Sequence, residues 1–228
     1  MEANGISIHF ELAGQGPSVV LLHEMGGTLD SWDGIVPALN QHFRTLRYDQ
    51  RGSGLSEKVR QPITTELLVE DLEAVLQGSE LAPPYRFVTV AAATMQALIY
   101  MTRHPERIAS FVFCNPFTGA DPSRVAALEE RAALAEREGL RKALAVTLDK
   151  SWPADIGDRD AYAAYRARYL AHDPVCFAAM NRAIARPNVR HLAKDIRHPT
   201  MVVAGRLDQV RPPRASSSRA RFPVRASN

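Results

Sequence analysis

Short apolar runs alternate with helix-patterned segments along most of this chain, and that alternation constrains the fold more than any other feature. Ser18–His23 (SVVLLH) is continuously apolar up to its last residue, as suits a central strand buried on both faces. Phe43–Tyr48 (FRTLRY), Arg86–Val90, Ile108–Cys114 (IASFVFC) and Thr200–Gly205 (TMVVAG) read as further strands, and Gly5–Leu12 (GISIHFEL) alternates like a half-buried one. Between them, Asp30 or Ser31 is placed to cap a helix through Trp32, Ile35, Val36 and Leu39. Thr64–Leu76 carries Leu67, Leu68, Leu72, Val75 and Leu76 at helical spacing, and Thr94–Arg103 also reads as a helix. This order predicts an α/β fold, a mostly parallel sheet with helices on both faces. In such sheets ligands sit beyond the C-terminal ends of the strands. His23, Asp49, Ala91, Cys114 and Asp208 all fall at such ends.

From Asp121 to about His191 the pattern changes. The segment is rich in alanine, arginine and glutamate and holds no strand-like run. It predicts helices over Pro122–Glu138, Leu140–Lys150, Asp158–Ala171 and Pro174–Ala185, set between two strands and therefore lying over the sheet.

Composition narrows the functional classes. The 228 residues are 46% hydrophobic and 23% charged, ordinary for a globular protein able to bury a core. The net charge of +3 owes much to Arg206, Arg211, Arg214, Arg219, Arg221 and Arg225 near the end. With no aromatic-basic pattern beside it, that stretch reads as a solvated tail, so neither a nucleic acid nor a membrane partner is expected. Two cysteines, Cys114 and Cys176, make no disulfide framework and read as reduced thiols. No run reaches membrane-spanning length, and the N-terminus lacks a basic region followed by an apolar one. The expectation is a cytoplasmic protein.

The loops carry the next clue. His23-Glu24-Met25-Gly26-Gly27 follows a strand, Asp49-Gln50-Arg51-Gly52-Ser53-Gly54-Leu55-Ser56 follows the next, His104-Pro105-Glu106-Arg107 closes a helix, and Gly205-Arg206-Leu207-Asp208 follows the last strand. Together these resemble the oxyanion loop, the glycine-bearing turn, the helix end and the acid-bearing loop of α/β-hydrolases, over residues 5 to about 213. The branch they most resemble is the 3-oxoadipate enol-lactonase-like group. The resemblance implies an α/β-hydrolase core at 1–118 and 196–228, a helical cap at 119–195, and hydrolysis of a carboxylic ester or enol-lactone. It implies no cofactor and no metal, and a small molecule as the partner.

The same resemblance exposes what is missing. Family chemistry needs a nucleophile on a strained strand-to-helix turn, a histidine base and an acid. Thirteen residues before His104, at the family's serine position, stands Ala91, within Thr89-Val90-Ala91-Ala92-Ala93. A methyl group cannot attack a carbonyl. Thr94 is an alternative nucleophile, shifted by nearly a helical turn. Asp208 matches the acid, but no histidine follows His198, and the ending RPPRASSSRARFPVRASN holds neither the strand nor the last helix of the family. The expectation is a core cut short at the C-terminus, with an open sheet edge that favours self-association. Met25 and Ala92 match the backbone donors of the oxyanion hole. Trp32 and Cys114 are expected near the substrate, Cys114 as a packing residue. His23 is expected to be structural; His172 and His191 fall in the cap region and His198 in a linker before Pro199, positions open to a surface role. Glu24, where the family usually has glycine, is either an acid/base for isomerisation or decarboxylation, or a carboxylate that turns outward or pairs with Arg51.

Overall fold

The computed structural model describes residues 1–145, 148, 152 and 158–205. The chain opens with a two-residue hairpin, β1 (Glu2–Ala3) against β2 (Ile6–Ser7). Asn4 and Gly5 turn it with φ of +49° and +75°, which suits an Asn-Gly pair. The single strand expected over Gly5–Leu12 is therefore two. It breaks where the His9 N–H leaves the ladder for the Ser56 hydroxyl, at 2.9 Å.

The main sheet holds six strands among the described residues. They are β3 (Phe10–Ala13), β4 (Ser18–Leu22), β5 (Arg44–Tyr48), β6 (Tyr85–Val90), β7 (Ile108–Cys114) and β8 (Thr200–Val203). Their order is β3-β5-β4-β6-β7-β8; β3 runs antiparallel to β5 and every other pairing is parallel. All five residues of β4 are buried, as its unbroken apolar run requires. From β4 the chain passes first to β5 on one side, then back to β6 on the other. That reversal opens a crevice at the C-terminal ends of β4 and β6.

Helices α1 (Val36–Leu39), α2 (Thr65–Gly78) and α3 (Ala93–Arg103) connect the strands. The first differs from expectation. Thr28, not Asp30 or Ser31, is the cap, and it starts a 3-10 turn over Leu29–Trp32 before the short α1. Against one face of the sheet, α2 buries Leu68, Leu72, Val75 and Leu76 beside Tyr85, Phe87, Tyr100 and Phe111. Each such side chain contributes about 1.5–3 kcal/mol of burial. On the other face Trp32 and Val36 cover Val19 and Leu21, while Met201 and Val203 of β8 remain exposed.

The alanine-rich segment forms α4 (Pro122–Glu138), α5 (Leu140–Ala145), α6 (Arg159–Leu170) and α7 (Pro174–Ala185); α4, α6 and α7 are close to the expected spans, and most of the second half of the expected Leu140–Lys150 helix lies outside the described residues. Asp121, Asp158 and Asp173 cap α4, α6 and α7 through first-turn N–H groups. Ala135, Leu140, Ala143, Leu144, Tyr169 and Phe177 form a second core, and Met25 of the loop after β4 packs against it. The helical layer thus rests on the crevice. Gly26, at φ +83°, lies so close beneath that a Cβ there would come within 2.8 Å of the Tyr169 ring.

Candidate active site

The loop after β4 is held by a buried polar chain. His23, 1% exposed, donates from Nδ1 to the Glu24 carbonyl at 2.7 Å and accepts the Gln50 N–H on Nε2 at 3.0 Å. The Gln50 side chain donates to the His23 carbonyl at 2.7 Å and accepts from Gln96 Nε2 at 2.6 Å. With both ring nitrogens committed, His23 positions backbone and is not available as a base. The turn after β5 is fixed in the same manner. Asp49 accepts the N–H groups of Leu29 and Leu55, each at 2.8 Å, and lies 3.0 Å from His9 Nδ1. Burial pushes its carboxyl up, but these donors outweigh burial and hold it below the usual range.

At the end of β6 the chain makes the strand-to-helix elbow. Ala91 has φ +55°, and Ala92 already has helical angles at the start of α3. The Ala91 N–H donates to the Cys114 carbonyl at 3.0 Å, and its carbonyl accepts the N–H of Phe117 at 3.0 Å. Left-handed backbone costs a non-glycine residue about 1–2 kcal/mol. The elbow geometry is thus present around a methyl group. The surrounding residues are small, as a close helix requires: Ala93 and Ala97 are buried. Ala91→Val is expected to lower stability by roughly 2 kcal/mol while Ala91→Gly changes it by less than about 1, read from urea midpoints. Equal effects would contradict the left-handed backbone at this position.

The backbone N–H groups of Met25 and Ala92 have no hydrogen-bond partner among the described residues. Unpaired donors on either side of the crevice are what an oxyanion hole presents.

Beside the elbow lies a cavity of about 540 Å³, reached by Val90 and Asn115 at the ends of β6 and β7. Glu24 and Ser31 line its core side, and Tyr165 and Arg168 of α6 line the other. Glu24 neither turns away nor pairs with Arg51. It accepts from Ser31 Oγ at 3.0 Å, while Arg51 binds Asp71.

Other expected site residues lie elsewhere. Thr94 is fully buried, and its hydroxyl is 2.9 Å from that of Thr89, so it meets no open space. Trp32 is a core residue packed with Val19, Leu21 and Val36 and does not line the cavity. Cys114 is half-buried and also absent from the lining; burial pushes its thiol up, which suits packing and not attack. Asp208 lies outside the described residues.

His172 is not a surface residue. It is 7% exposed and bridges the layers, with Nδ1 3.0 Å from the Arg168 carbonyl and Nε2 3.1 Å from the Gly27 carbonyl. Burial pushes its pKa down, against those two carbonyls, which favour the charged ring. Asn115, Tyr165 and Arg168 had gone unnoticed in the sequence. The available signal was the Tyr162, Tyr165, Arg168, Tyr169 spacing within an alanine-rich helix. Among the described residues, no cluster of His, Cys, Asp or Glu is suited to hold a metal ion, and no helix is long and apolar enough to cross a membrane.

Known proteins share this fold. The family model of the alpha/beta hydrolase fold matches residues 17–223. The enol-lactonase from Burkholderia xenovorans LB400 superposes with a TM-score of 0.82 at 28% identity, covering 89% of this chain and 79% of that one. 3-Oxoadipate enol-lactonase 2 of Acinetobacter baylyi is 24% identical over 215 residues, 92% of this chain and 79% of its own length. A shorter match, 40% over 81 residues, joins 34% of this chain to the oxidoreductase EphD of Mycobacterium tuberculosis, of which it spans only 13%. The family match takes in the sheet, the elbow and the helical layer alike, and so the chain belongs to the α/β-hydrolase fold family and resembles its enol-lactonases.

Proposed function

We propose that this chain is an ester- or enol-lactone-type hydrolase by descent whose acyl-transfer centre is crippled, and whose cavity serves to hold a small ligand. One observation carries the proposal. The residue at the elbow, Ala91 at φ +55°, has no atom able to attack. In this reading residues 119–195 act as a cap over the crevice, Met25 and Ala92 are the oxyanion donors, and Asp208 is the acid. Removing a nucleophile from such a centre costs about 10⁶ in turnover, which the remaining oxyanion donors do not restore.

A second reading is favoured by Glu24 alone. Its carboxylate lines the cavity, where it could carry a proton for isomerisation or decarboxylation. Two assays separate them, each on the parent chain, Ala91→Ser, Thr94→Ala and Glu24→Gln: steady-state hydrolysis of an activated aryl ester and a simple enol-lactone for the first reading, and solvent deuterium exchange into an enolisable keto acid for the second. In hydrolysis the parent is expected to show no more than the weak residual rate that oxyanion donors and binding alone supply. Saturable turnover lost in Thr94→Ala would return the nucleophile to Thr94 and overturn the proposal. Saturable turnover lost in Glu24→Gln would replace it with carboxylate chemistry.

A further inference from the structure

The polar groups of the cavity are unevenly satisfied. Its acids have partners on the core side. Glu24 accepts from Ser31, Asp33 pairs with Arg47, and Asp30 accepts from the Thr28 hydroxyl at 3.3 Å. Arg168 is the one basic side chain among the described residues that line the cavity, and its guanidinium makes no ion pair and no hydrogen bond among them. Its Nε is buried with no partner. The side chain as a whole is partly exposed, but its Nε is shut off from solvent, and a buried donor without a partner is costly.

The arginine is also held in position. Its guanidinium carbon lies 5.8 Å from the centre of the Tyr165 ring, which shares the cavity wall. Its backbone carbonyl faces the buried His172, which also meets Gly27 of the loop after β4. The donor is thus mounted on a helix end that is tied to the core.

We infer that Arg168 recognises the carboxylate of a small monoanionic ligand in this cavity, an inference that rests on the reading of the cavity as a ligand site. A guanidinium fork matches a carboxylate with two parallel hydrogen bonds. The acids opposite set the limit on charge. Glu24 and Asp30, whose partners are the uncharged hydroxyls of Ser31 and Thr28, face the remainder of the ligand and repel a second carboxylate, so the rest of the molecule is uncharged. The aromatic wall of Tyr165 and Trp152, whose rings stand 5.7 Å apart, suits an apolar or ring-bearing body.

The test is isothermal titration calorimetry of the full chain with benzoate and hexanoate, their neutral amides benzamide and hexanamide, and the dianion succinate. Both monocarboxylates are expected to bind at least tenfold more tightly than their amides and than succinate. Arg168→Gln is expected to remove that preference, weakening the carboxylates about 10- to 100-fold and leaving the amides unchanged. Arg168→Lys is expected to keep part of it, with greater sensitivity to salt. Unchanged amide affinity and an unchanged urea midpoint show that the variants are folded. Absence of carboxylate binding in the parent, equal binding of amides, or undiminished binding by Arg168→Gln would each overturn the inference. Binding is read without turnover. A catalytically active parent that still prefers monocarboxylates would therefore overturn the proposed loss of catalysis and leave this inference standing.

Discussion

Asp71→Ala is expected to destabilise the fold by about 3–5 kcal/mol, the largest loss of any polar substitution among the described residues. Asp71 is 1% exposed and sits on α2, where it receives Arg51 twice, from Nε at 2.8 Å and from Nη2 at 2.6 Å. Asn4 Nδ2 adds a third donor at 2.8 Å. Removing the carboxylate leaves a guanidinium that is itself 8% exposed, with only the Asn4 carbonyl to meet it. The penalty is the uncompensated charge and not the worth of the pair. The double variant Arg51→Met/Asp71→Leu is thus expected to recover most of the loss, read as the urea midpoint at constant slope. An Asp71→Ala change below about 1 kcal/mol would mean that water reaches Arg51 freely. The effect also reaches the ligand site. Arg51 anchors the turn that carries Gln50, and Gln50 holds His23 beneath the loop of Met25.

Phe87→Ala is expected to cost a further class of stability, about 3–5 kcal/mol through lost burial and a cavity that the sheet cannot close. Phe87 is fully buried in β6, registered beside Val20 of β4 and Phe111 of β7. Its ring is 5.3 Å from Tyr100 on α3 and 6.1 Å from both Tyr85 and Phe111. These neighbours sit on three rigid elements, so relaxation into the void is limited. Phe87→Leu, which keeps most of the volume, is expected to lose less than half as much. Near-UV circular dichroism and urea unfolding together check this. A loss of aromatic signal without a shift in midpoint would contradict it. Because β6 leads directly into the elbow at Ala91, the alanine variant should also weaken benzoate binding, whereas the leucine variant should not.

How much of this was legible beforehand depends on the kind of signal. β4, β6 and β7 were readable because a parallel sheet buried on both faces demands unbroken or alternating apolar runs. The helix bounds at Pro122–Glu138 and Pro174–Ala185 were readable because an aspartate precedes a proline at each start. The count back from His104 singles out Ala91, and the backbone there has φ +55°. Side-chain partnerships were not readable. Nothing in the order of residues says that Arg51 chooses Asp71 over Glu24, since the two acids lie on different elements that only the fold brings near. Trp32 was assigned to the pocket, but a 3-10 turn replaces the first turn of the expected helix and directs the indole into the core. His172 and Arg168 were hidden for a related reason. An alanine-rich helix shows no dominant apolar stripe, so its buried side is decided by what it lands on.

The elbow at Ala91 has one more consequence, which concerns inheritance. The unusual backbone angle, the link to Cys114 and the unpaired N–H groups of Met25 and Ala92 belong to the main chain. Point substitutions exchange side chains, so they can delete the attacking atom without dismantling the platform that presented it. Such a platform is durable in a way that reactivity is not. A main-chain platform of this kind outlasts any exchange of the side chain it carries.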